Sequence, residues 1–116
     1  MSGRSGDPVF DRLAPLCLAQ PGADERQSHG ERAWFTLKGR LFVTCADRHH
    51  DERLAFWAAA PSGVQESLVA SAPGRFFRPP YYGSRGWLGV YLDIPVDWDE
   101  VAAIVADAYR VVAGRR

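Results

Sequence analysis

Arg53-Leu-Ala-Phe-Trp-Ala-Ala-Ala-Pro-Ser-Gly-Val-Gln-Glu-Ser-Leu-Val-Ala-Ser-Ala72 is the stretch whose reading decides the fold. Its alanines favour helix, but Leu54 and Phe56 alternate with Ala55 and Trp57 in the two-residue period of a strand. Pro61 sets the boundary, because proline is tolerated in the first turn of a helix and disrupts its interior. After it, Val64, Leu68, Val69 and Ala72 fall on one helical face. The stretch therefore predicts a strand over 53–59 and a helix over 61–72. The rival reading is a helix over 51–60 followed by a strand over 67–71.

On the N-terminal side, residues 1–6 read as a disordered leader and residues 7–116 as a single domain. Asp7-Pro8 is a helix start, with Asp as N-cap and Pro at the first helical position. Val9, Phe10, Leu13, Leu16 and Cys17 then form one apolar stripe over 8–19, and Pro15 is expected to kink or restart that helix. Residues 23–32 are polar and read as a loop. Ala33–Leu37 and Arg40–Cys45 read as a hairpin around a two-residue Lys38-Gly39 turn. Asp47–Glu52 is a charged connection.

On the C-terminal side, Pro73–Arg85 reads as a loop in which Phe76-Phe77 can form a short edge strand. Gly86–Leu92 is a strand, and its glycines point to a bulge or a close backbone approach. Asp97 and Glu100 form an Asp-x-x-Glu capping box before an apolar face of Val101, Ile104, Val105, Ala108 and Val112, giving a helix over 97–113. The expected fold class is α+β. It is a two-layer sandwich, an antiparallel sheet with helices on one face, in the order α-β-β-β-α-β(-β)-α. Phe10, Leu13, Leu68, Ile104 and Val105 are expected to supply much of the core.

The 116 residues carry 14 basic and 14 acidic side chains, with 47% hydrophobic and 24% charged residues. This is globular composition, and a chain of this length can bury a core without metals or disulfides. The longest apolar run, Leu54–Ala60, is far short of the roughly 20 residues of a membrane span. No signal peptide is visible, so a cytoplasmic protein with reduced, unbridged Cys17 and Cys45 is expected. Zero net charge removes the easy argument for a nucleic-acid or membrane partner.

The search for chemistry finds little catalytic machinery. His49-His50 lies among Asp47, Asp51 and Glu52, but adjacent histidines on an extended loop point apart, so no metal is expected there. His29 is isolated. Neither cysteine has a neighbouring histidine in sequence to activate it. Asp97, Asp99 and Glu100 are explained as capping residues. No phosphate loop or hydrolase motif occurs. No cofactor is expected, and the chain reads as a non-enzyme.

The unusual segment is Arg75-Phe-Phe-Arg-Pro-Pro-Tyr-Tyr-Gly-Ser-Arg-Gly-Trp87. No acidic residue occurs from Ser67 to Leu92, so Arg75, Arg78 and Arg85 give a local positive charge. Arginines interleaved with Tyr81, Tyr82 and Trp87 can neutralise phosphates and stack on bases. Equally, Phe76, Phe77 and Trp87 read as core, with Pro79 and Pro80 stiffening a crossing loop. Lys38 and Arg40 make a second basic point at the hairpin tip.

The succession of segments resembles the MmcQ/YjbR-like family of small bacterial DNA-binding-type proteins. The resemblance is carried by Leu18-Ala-Gln-Pro-Gly22, Ser28-His-Gly30 and Phe35-Thr-Leu-Lys-Gly-Arg-Leu-Phe42. It is strongest over Phe76-Phe-Arg-Pro-Pro-Tyr-Tyr-Gly-Ser-Arg-Gly-Trp-Leu-Gly-Val-Tyr-Leu-Asp93, followed by Val96-Asp-Trp-Asp-Glu100 and Ala108-Tyr-Arg110. It implies a two-layer fold like the secretion-chaperone-like and frataxin-like folds, and it supports a strand at 53–59 followed by a helix at 61–72. The family's DNA-binding designation rests on a double-wing shape. The wings here would be the Lys38-Gly39 hairpin and the Arg78–Arg85 loop. The implied function is non-enzymatic binding, weak and salt-sensitive, of double-stranded DNA phosphates by a monomer or weak homodimer. The candidate contacts are Lys38, Arg40, Arg75, Arg78, Tyr81, Tyr82 and Arg85. The alternative is a protein- or small-ligand-binding module using the aromatic loop 75–87.

Overall fold

A computed structural model describes residues 6–48 and 51–114; His49 and His50 lie outside the described residues. The elements are α1 (Pro8–Leu18), β1 (Asp24–Ser28), β2 (Glu31–Phe35), β3 (Leu41–Asp47), β4 (Leu54–Ala58), α2 (Val64–Ser71), β5 (Phe76–Phe77), β6 (Leu88–Tyr91) and α3 (Trp98–Ala113), with a 3₁₀ turn at Gly83–Arg85. The strands form one antiparallel sheet in the order β1-β2-β3-β4-β6-β5. The fold is the expected α+β sandwich.

Residues 54–58 are a strand, in agreement with the reading of Pro61 as a boundary. Two of its details differ. The helix begins at Val64 rather than Pro61, behind Gly63 as N-cap, and Pro61 instead accepts the Val64 amide in the preceding turn. Its most buried residue is Gln65, while Val64, Leu68 and Val69 are only partly covered.

Residues 24–28, read as part of a polar loop, form edge strand β1. It pairs with β2 through a two-residue turn at His29-Gly30, both at positive φ (53° and 81°), which is the geometry of the type I′ hairpin turn. Asp-Glu-Arg-Gln-Ser has no apolar alternation because an edge strand can expose one face and its rim; charged residues there also discourage pairing with a second chain.

The next hairpin has a three-residue connection, Leu37-Lys38-Gly39, rather than a two-residue one. The Gly39 amide bonds Thr36 O at 2.8 Å and the Thr36 amide bonds Arg40 O at 2.8 Å. The register slips between Trp34 and Phe35, leaving Phe42 as the extra residue of a bulge.

Helix α1 runs on through Pro15, which is exposed and close enough to the C-terminus that the chain neither breaks nor restarts there. Asp7 caps it, accepting the Val9 amide at 3.0 Å. Asp97 caps α3 through the Asp99 and Glu100 amides at 3.0 and 3.2 Å. Glu100 does not complete the expected box, because its carboxylate pairs with Arg75.

Pairing fixes which side chains share a face. Trp34, Val43, Cys45, Phe56 and Val90 point to one side, with α1 and α3 against it. Phe42 meets Tyr109 of α3 edge-on, at 5.5 Å between ring centres. Arg32 reaches Asp11 of α1 at 2.9 Å. Phe10, Leu13, Cys17, Trp34, Phe56 and Val105 have almost no exposure, whereas Leu68 and Ile104, expected in the core, are only partly buried against it. Cys17 and Cys45 are both buried free thiols.

Candidate nucleic-acid interface

The opposite face of the sheet carries Thr44, Trp57 and Gly89 in one row and Ala46, Ala55 and Tyr91 in the next. The segment from Arg78 to Trp87 covers part of it. The chain leaves β5 at Phe77, and buried Pro79 begins a tight path: the Gly83 amide bonds Pro79 O at 2.8 Å and the Gly86 amide bonds Gly83 O at 3.0 Å. The Tyr82 amide bonds Pro80 O at 2.7 Å, closing a three-residue turn centred on Tyr81 at φ 67°. Such a turn is the rarer, strained γ form, costing on the order of 1–3 kcal/mol in a non-glycine residue. The turn leaves Tyr81 78% exposed.

Two contacts hold the loop in place. Gln65 of α2 is buried, and its Nε2 donates to the carbonyls of Gly83, at 2.9 Å, and Trp87. The Arg78 stem packs on the Gly83 backbone so closely that a Cβ at Gly83 would come within 2.4 Å of Arg78 Cγ. The Tyr82 ring lies 4.7 Å from Trp87 and 5.9 Å from Trp57, with the Arg85 guanidinium over it at 5.6 Å. The Trp87 Nε1–H is buried and has no acceptor among the described residues.

Two hollows open on this face and share Trp57. One, of about 340 Å³, is bounded by Trp57, Tyr81, Tyr82, Leu41, Thr44, Glu31 and the Ser28-His29 turn. Its neighbour, of about 230 Å³, is bounded by Arg53, Arg78, Phe77, Tyr91 and Ala55. Glu31 is 3% exposed, and its Oε2 accepts the Asp47 amide at 3.2 Å. Arg53 grips Asp93 with two bonds of 2.7 and 2.8 Å and lies over the Tyr91 ring at 3.8 Å. That ion pair holds the Asp93 carboxyl below its ordinary range and raises Arg53.

The seven candidate residues fall into three places. Arg78, Tyr81, Tyr82 and Arg85 are brought together on the open-face loop. Arg75 pairs with Glu100 and lies over the Phe76 ring at 5.0 Å, beside the start of α3. Lys38 and Arg40 line a third hollow, with Thr36, Tyr109 and Val112, at the far end of α3. Sequence reasoning missed Gln65, whose polarity on an otherwise apolar stripe was the available signal, and Glu31, which sat in what read as loop.

No group of three or more His, Cys, Asp or Glu suited to a metal occurs among the described residues. Burial, reinforced by Cys45 and Glu25, pushes the Cys17 thiol far above its ordinary pKa, the opposite of what a nucleophile needs.

The fold and this face define an α+β domain with one sheet face under helices and the other partly under a cationic, aromatic loop. Residues 18–111 match the family model for YjbR, and the chain belongs to the YjbR family. No curated protein and no solved structure matches it.

Proposed function

We propose that this YjbR-family domain is a non-catalytic DNA-binding protein that contacts phosphates through Arg78 and Arg85. The observation that carries the reading is how its cations are used. Arg26, Arg32, Arg48, Arg53, Arg75 and Arg110 are each tied to a carboxylate, and Arg12 is laid over the Trp98 ring at 4.5 Å on the helix side. Arg78 and Arg85 are exposed, have no carboxylate partner among the described residues, and flank an exposed tyrosine. Lys38, exposed on the hairpin, adds a third cation. Such contacts position a nucleic acid and carry little sequence information.

The test is titration of a fluorescent duplex at two salt concentrations. Two or three phosphate contacts give a log–log slope of roughly −2 to −3. Arg78→Ala with Arg85→Ala should lower that slope by about two and weaken all sequences alike. Flat titrations at low salt overturn the reading. A double variant that melts at markedly lower temperature with DNA affinity unaltered does the same. A cytoplasmic monomer or weak homodimer goes with this proposal; no helix among the described residues is long and apolar enough to cross a membrane.

The apolar hollow around Trp57 favours a second reading, a small-ligand module closed by the same loop. Binding that ignores both salt and the two arginines would select it.

A further inference from the structure

We infer that the hollow bounded by Trp57, Tyr81 and Tyr82 receives an unpaired nucleobase, so that the domain prefers a single strand to a duplex. This rests on the reading of Arg78 and Arg85 as phosphate contacts. The hollow's size, about 340 Å³, falls in the range of small-molecule sites and leaves room for one planar ring. Its rings supply a stacking surface. Trp57 lies on the sheet, only 6% exposed, with the Tyr82 ring tilted against it, and Tyr81 stands at the rim, 78% exposed.

The charge is arranged to match. The polar groups bounding the hollow include the Glu31 carboxylate and the Thr44 hydroxyl, and no lysine or arginine lines it among the described residues. A largely apolar, aromatic wall without a lysine or arginine suits a planar ring and does not suit a phosphate. The cations stand outside: Arg78 lines the adjoining hollow across Trp57, and Arg85 lies over the outer part of the loop on Tyr82. A base inside with its phosphates at the rim satisfies both sets. A duplex cannot supply this, because its bases are already stacked and paired. A single strand offers free faces, and stacking on aromatic side chains is tolerant of sequence.

Tyr81 also bears on the choice of occupant. It is held at φ 67°, a conformation that favours glycine, yet its ring makes the exposed wall of the hollow. Replacing it with glycine removes the ring and relieves the backbone, so the change should not cost folding.

The experiment compares a labelled 12-nucleotide single strand of mixed, non-self-pairing sequence with the same sequence as a duplex, at one low salt concentration. The single strand should bind roughly tenfold more tightly. Tyr81→Gly should cut that affinity roughly five- to tenfold, a larger loss than it causes for the duplex, with the melting temperature unreduced, and Tyr81→Phe should retain binding. If the duplex binds but the single strand gains nothing over it, or if Tyr81→Gly leaves the single strand unaltered, the base site is overturned and the phosphate reading stands. If free nucleosides bind as tightly as the strand, the hollow is a small-molecule site and the inference fails. If neither nucleic acid binds, both readings fall together.

Discussion

The two faces of the sheet are built to different standards. The face under α1 and α3 is closed by Trp34, Phe42, Phe56 and Phe10, all without exposure, and its polar contacts are paired, as in the Trp34 Nε1–H to Glu25 at 3.1 Å. The face under the Arg78–Trp87 loop has two hollows, a strained Tyr81, and, among the described residues, an indole N–H without an acceptor and two arginines without a carboxylate partner. Close packing consumes side chains; whatever is left aromatic, charged and accessible is available for binding. On the proposed reading, stability and recognition are divided by the thickness of one sheet.

The sharpest way to break that division is to truncate a ring on the helix side. Trp34→Ala should destabilise the domain by about 3–5 kcal/mol in denaturant unfolding; a cost under about 1 kcal/mol would show that the helix face is not the core. On the loop side, Gly89→Ala should cost about 1–3 kcal/mol, because its Cβ would lie 2.4 Å from the Phe77 ring across the β5–β6 pair. That shows where the open face too is filled tightly.

Gln65→Leu probes the join between fold and loop. Two carbonyls lose their donor, a cost of about 1–3 kcal/mol, and DNA affinity should fall although no charge has changed. Equal affinity in a melted-down variant would mean the loop's shape is irrelevant to binding.

Smaller still is the acid response of Asp93. Its carboxyl is lowered in the fold, chiefly by the bonds from Arg53. The pair therefore contributes stability above the ordinary carboxylate range and loses it as pH falls through the lowered value. Melting temperature should drop more steeply below about pH 4 in the parent than in Asp93→Asn. Smallest in stability is Arg85→Ala, expected within about 0.5 kcal/mol of the parent, since its side chain is exposed; Arg78→Ala should cost more, because it also removes the stem packed on Gly83.

Local sequence determined much of the architecture. Alternation around Phe56 and Trp57, closed by Pro61, specified β4, and the caps Asp7 and Asp97 located the starts of α1 and α3, because period, proline geometry and capping are properties of a few neighbouring residues. The run of Arg, Tyr and Trp from Arg75 to Trp87 was visible as a candidate site for the same reason. Tertiary structure decided the rest. β1 is a strand only because β2 pairs with it, since its own residues carry no apolar period. Gln65 is buried only because the Gly83 and Trp87 carbonyls arrive from 18 and 22 residues away. Arg75 and Arg78 look equivalent in the chain, but α3 brings Glu100 to the first, while the second has no carboxylate partner among the described residues. The hollow beside Trp57 joins β2, β3, β4 and the loop, and a cavity made by segments distant in sequence has no local pattern to betray it.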